Sequence, residues 1–161
     1  MINRLGMSHL RMGCVIAAML VSALQGCTNA KHAKFENKMI SAFSTCNSQQ
    51  RCVLHVSDLT EFRWDKLYVF KHTAGRREVE SVLGTKLTEF EEIHRRIVFT
   101  KAGSVVFHEE EPTEIERPIA DEVVFDIPDT QDYKVYSSDV TFSVQHVKTD
   151  DISYYQLTQL H

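Results

Sequence analysis

Histidines, carboxylic acids and cysteines supply the possible chemistry of this 161-residue chain, and their spacing decides which chemistry it could be. His55, Ser57 and Asp58 have the residue types of a base, a nucleophile and an orienting acid. They crowd one strand end, too close along the chain to line up as a relay, and read as a polar loop. His94 stands beside Glu91 and Glu92, and His108 precedes Glu109, Glu110 and Glu111. Each run offers a single imidazole, so the paired-histidine spacing of a hydrolytic zinc helix is missing and no metal site is expected. There is no Gly-x-Ser-x-Gly elbow, no phosphate-binding loop and no dinucleotide glycine set; Gly75, Gly84 and Gly103 stand singly, each with a turn role available. Asp65, His72 and His108 are the residues an active site assembled only in three dimensions would use. His72 follows a strand and precedes a helix, where open sheets often bind ligands. Asp65 has a competing structural role, fixing the start of its strand through hydrogen bonds. The expectation is a protein that is not an enzyme, has no catalytic set and needs no cofactor, with an enzyme built around these three residues as the alternative.

The elements that must position these groups follow from periodicity. Phe35, Met39, Ile40 and Phe43 form the apolar stripe of a short helix ending near Ser44 or Thr45. Cys52 to Val56 predicts a strand. Phe62 to Phe70 predicts a second, with Phe62, Trp64, Tyr68 and Phe70 on one face and Leu67 and Val69 on the other, which implies a central strand covered twice. Arg76 to Leu83 reads as a helix with Thr73 as a possible start cap and Gly84 as a left-handed end cap. Residues 85 to 93 are ambiguous. Arg95 to Thr100 and Val105 to His108 predict a hairpin in which Gly103 supplies a positive φ. Four further strand candidates lie in Asp121–Ile127, Tyr133–Tyr136, Asp139–Val147 and Ile152–Leu157. The expected fold class is α+β, two helices packed on a mostly antiparallel β-sheet, with a β-sandwich as the alternative.

Charge adds a boundary condition. Lys and Arg total 18 against 22 Asp and Glu, a net charge of -4. The first 27 residues hold two of the bases, Arg4 and Arg11, and no acid, so the remainder carries 16 bases against 22 acids, or -6. Nucleic-acid binding is therefore not expected, since it leaves a basic footprint. After Arg4 and Arg11 comes the apolar run Gly13 to Leu24, shorter than the roughly 20 residues that cross a bilayer core and suited to a secretory signal.

The run ends in Leu24-Gln25-Gly26-Cys27, which resembles the lipobox of bacterial lipoproteins, with Gln25 standing where Ala or Ser is more usual. The resemblance implies a signal peptide over residues 1–26, lipidation of Cys27, a tether through residue 33, and a single domain over 34–161. Acyl chains on Cys27 would make the lipid bilayer a partner, because two or more chains anchor stably. Thr28 suggests sorting to the outer membrane, facing the periplasm; the inner membrane and secretion into the periplasm are the alternatives. Export implies an oxidising compartment, in which Cys46 and Cys52 can pair as a structural disulfide, stabilising by about 2 kcal/mol. Two free thiols are the alternative, and the spacing is not that of a Cys-x-x-Cys redox pair. The stretch Phe62-Arg-Trp-Asp-Lys-Leu-Tyr-Val-Phe70 is also similar to a pattern in small uncharacterised bacterial secreted or lipidated proteins, though Lys71-His72-Thr73 replaces their Pro-Tyr-Thr. That likeness brings no activity with it.

With catalytic signals weak, the expected function is binding of a protein partner in the cell envelope. The acids Glu109, Glu110, Glu111, Glu114 and Glu116 are expected to form a solvated loop or edge that could face a basic partner. An immunity or inhibitor protein that plugs a toxic enzyme is one version; an accessory subunit of an envelope assembly is another. The competing class is a periplasmic enzyme using Asp65, His72 and His108.

Overall fold

The computed structural model describes residues 34–44, 52–112, 120–149 and 151–160. The expectations for the signal segment, the tether, Cys27, Cys46, Glu114 and Glu116 concern residues outside that set. The chain runs α1 (Phe35–Ser44), β1 (Cys52–His55), a 3-10 turn (Val56–Leu59), β2 (Lys66–Phe70), α2 (Arg76–Leu83), β3 (His94–Lys101), β4 (Ser104–Pro112), β5 (Val123–Phe125), β6 (Tyr133–Ser137), β7 (Thr141–Lys148) and β8 (Ser153–Gln159). The fold is α+β, as the sequence implies. Its strands divide between two four-stranded sheets, β4-β3-β2-β6 and β1-β7-β8-β5, where a single sheet was expected. All pairings are antiparallel except β5 with β8.

The division has a physical reason. β7 buries apolar side chains, Phe142 and Val144, on one face and is mostly polar on the other, so it needs one cover; β2 is apolar on both faces and needs two. The main core joins Leu67, Val69, Ile97, Phe99 and Tyr136 of one sheet to Leu54, Val123, Phe125, Phe142, Val144 and Leu157 of the other. Tyr136 and Phe142 meet across it with ring centres 5.0 Å apart. Helix α1 adds Phe35, Met39 and Phe43, one residue per turn on one stripe. A second cluster lies on the opposite face of the first sheet, where α2 lays Val79 and Leu83 over Phe70 and Val98.

Strand β2 starts four residues later than the alternation predicts. Phe62 and Trp64 join the same core as Leu67 and Val69, so the two faces exchange between Trp64 and Lys66. Asp65 marks the break. Its backbone N–H donates to the Thr100 carbonyl (2.8 Å), and its carboxylate accepts from the Ala102 N–H (2.6 Å). The structural reading of Asp65 therefore holds. In the β3–β4 turn both Ala102 (φ 49°) and Gly103 (φ 79°) take positive φ, one more than expected.

Gly75, not Thr73, is the residue preceding α2; the Thr73 hydroxyl donates instead to Asp132 Oδ1 (2.7 Å). Gly84 ends the helix at φ 69°, the left-handed conformation expected of it. Space for a methyl group exists there, so Gly84→Ala is limited by backbone conformation alone. It is expected to lower unfolding free energy by about 1 kcal/mol, measured by urea denaturation, with the fold retained.

Cys52 opens β1 half-buried and is disulfide-bonded. No described helix is long and apolar enough to cross a membrane.

Candidate functional site

The three residues of the enzymatic alternative do not converge. Asp65 and His72 flank opposite ends of β2, a separation of roughly 20 Å at strand rise. His108 sits on β4 opposite Val98, and its Nε2 lies 2.8 Å from Glu110 Oε1. His55 Nδ1 is 3.0 Å from Thr141 Oγ1 on the neighbouring strand, which takes it out of any relay with Ser57 and Asp58. Among the described residues no group of three His, Cys, Asp or Glu side chains is disposed to hold a metal ion. Two open depressions flank the 3-10 turn. One of about 600 Å³ lies against α1 and is crossed by the Lys38–Glu61 ion pair (3.1 Å); the other, about 580 Å³, is lined by Phe62, Trp64, Asp65 and Lys101.

The acidic run corrects the sequence reading most. Glu109 and Glu111 are each only 7% exposed, and Glu110 is nearly as covered, so these three form no solvated, partner-facing patch. A bulge near Phe99 and Thr100 sets the register of the hairpin. It pairs Arg95 with Glu111 and Arg96 with Glu110, so each face receives its own acid and base. Toward α2, Arg96 is fully buried; its Nε lies 3.0 Å from Glu110 Oε1, and its guanidinium reaches the carbonyls of Ala74, His94 and Glu91 and stacks 3.5 Å from the Phe90 ring centre. Burial lowers the Arg96 pKa, and the charge of Glu110 opposes the shift.

Toward the core, Arg95 contacts Glu36 (2.8 Å), Glu122 (3.2 Å) and the Val123 carbonyl. Desolvation raises the pKa of Glu36 against the pull of Arg95, and desolvation raises that of Glu111 as well. Sequence reasoning passed over Glu36, Arg95 and Arg96. The available signal was Arg95-Arg96 in a strand predicted to be apolar, facing three acids across a short turn.

The outer face of β1-β7-β8-β5 is set apart by the side chains that line it. Register places Val53 and His55 of β1, Thr141, Ser143, Gln145 and Val147 of β7, Tyr154, Gln156 and Thr158 of β8, and Val124 of β5 on it. None of these side chains is an acid, a lysine or an arginine, in a chain where a quarter of residues are charged (25%). Val53 is 52% exposed there. The corresponding face of the other sheet is covered by α2; among the described elements, no helix covers this one. Fold and surface define a class: an α+β protein of two four-stranded layers with one open, uncharged sheet face. No protein family, curated protein or solved structure matches the chain.

Proposed function

We propose that the chain is an exported lipoprotein, anchored through Cys27, whose domain works by binding a protein partner on the outer face of β1-β7-β8-β5. The observation that carries this reading is the lack of charge across that face. Charged groups are costly to desolvate, and the centres of protein interfaces are depleted of Lys, Glu and Asp and enriched in Tyr. A neutral sheet face with exposed Val53 and with Tyr154 has that composition. The net negative charge of the domain would steer a basic partner from a distance, while the neutral face makes the contact. Both an inhibitor of a delivered enzyme and an assembly accessory fit this division. The lipobox supports anchoring, with the outer membrane as the proposed destination and Cys46 as the proposed partner of Cys52.

Two measurements test the reading. Gln145 and Gln156 are direct cross-strand neighbours, so Gln145→Lys with Gln156→Glu gives a mutually attractive pair that leaves the fold intact. The double variant is expected to lose about tenfold or more in affinity for the partner recovered with the wild type, because two charges enter the contact. Unchanged affinity would remove this face from the account. The membrane form should also exceed the mass of the Cys27-to-His161 polypeptide by its acyl chains, and Cys27→Ser should lose that excess.

A further inference from the structure

The start of α1 is fastened to β4 by buried carboxyl groups. The Phe35 backbone N–H donates to Glu109 Oε2 (2.7 Å), and Lys34 Nζ lies 3.3 Å from Glu111 Oε1. Glu36 Oε1 accepts from the Val123 N–H (2.9 Å) as well as from Arg95. The Glu36 carboxyl group lies near enough to Glu111 for that contact to raise its pKa, and Glu109 raises that of Glu111 in the same way. Glu36, Glu109 and Glu111 are each more than nine-tenths buried, and Glu109 Oε1 and Arg95 Nε have no hydrogen-bond partner among the described residues.

Counting charges decides what this arrangement needs. Lys34 faces the cluster from just before α1, Glu36 from α1, Arg95 from β3, Glu109 and Glu111 from β4, and Glu122 from the segment before β5. Four acids thus meet two bases, and Lys34 is half in solvent. Ionised carboxylates only accept hydrogen bonds, so a carboxyl–carboxyl contact requires a proton on one member. We propose that this cluster is a proton-operated latch on α1, closed in mildly acidic solution and loosened as the solution becomes alkaline.

The direction follows from linkage. Burial raises Glu36 and Glu111 above their ordinary value of 4.5, so the folded chain holds protons that the unfolded chain has lost. The latch is fully closed below that ordinary value, and its contribution is lost as pH rises through the raised folded values. Ionisation then sets the Glu36 carboxylate of α1 against Glu111 and Glu109 of β4, with the cluster's buried cation, Arg95, shared with Glu122. The α2 side of the hairpin, with Arg96, Glu110 and His108, does not face these groups.

Amide hydrogen exchange on the full chain from about pH 5 to about pH 9, corrected for intrinsic rates, tests this. Protection of Phe35–Ser44 is expected to fall by about tenfold across the range, while β2 and β3 keep theirs. Glu111→Gln supplies a neutral donor in place of the proton and is expected to make α1 protection independent of pH. Glu36→Gln, which leaves Glu122 on Arg95, serves as the second variant and should also flatten the profile. Protection of α1 that is flat or rises with pH in the wild type would overturn the latch, as would a loss shared equally by β2 and β3, or an unchanged profile in a folded variant.

Discussion

Arg96→Ala is expected to lower the unfolding free energy by about 3–5 kcal/mol, close to the whole stability of many small domains. Arg96 is fully buried between β3 and α2 and touches an ion-pair partner, three carbonyls and an aromatic face. Removing it leaves the nearly buried Glu110 side chain without its guanidinium, 2.8 Å from His108, and strips the carbonyls of Ala74, His94 and Glu91 of a donor. The penalty belongs chiefly to the groups left behind. Arg96→Met combined with Glu110→Leu is therefore expected to recover most of the loss, because apolar side chains of similar volume remove both charges together. Equilibrium denaturation of the single and double variants checks this: a double variant as unstable as Arg96→Ala would show that the penalty is not an orphaned charge.

Phe99→Ala should cost a similar amount, about 3–5 kcal/mol, for a different reason. The Phe99 ring lies 5.0 Å from Phe35, 5.0 Å from Trp64, 5.4 Å from Phe62 and 5.8 Å from Phe107, mostly edge to face. It ties α1, the segment before β2 and the β3–β4 hairpin into one cluster. Its loss leaves a cavity bounded by rings that come from separate elements and cannot all close inward. Because Trp64 is the only tryptophan of the chain, its emission reports the change directly: a red shift under native conditions is expected, and Phe99→Leu should show a smaller one. Unaltered emission together with wild-type stability would contradict the packing described here.

These two sites show which information local sequence carries. Helices α1 and α2, the left-handed Gly84 and the four late strands were legible, because each depends on spacing within one segment. The sheet division was not, since it depends on which apolar faces find each other across the chain. The acidic run is the instructive case. Glu109, Glu110 and Glu111 have the composition of solvated surface, and only hairpin register, shifted by a bulge, turns them toward Arg95 and Arg96. The uncharged face was equally hidden. Its outward residues come from four strands spread between Val53 and Thr158, and no single strand is long enough for the lack of charge to stand out.

Contact between this face and a protein partner, as proposed above, can be read residue by residue. A photo-crosslinking side chain placed at Gln145, in the middle of β7, or at exposed Arg77 on α2 would test it most directly in native membranes. One predominant crosslinked protein is expected at Gln145, lost when Gln156→Glu is added, and none of that protein at Arg77. Crosslinking of the same protein from Arg77 with nothing from Gln145 would contradict it.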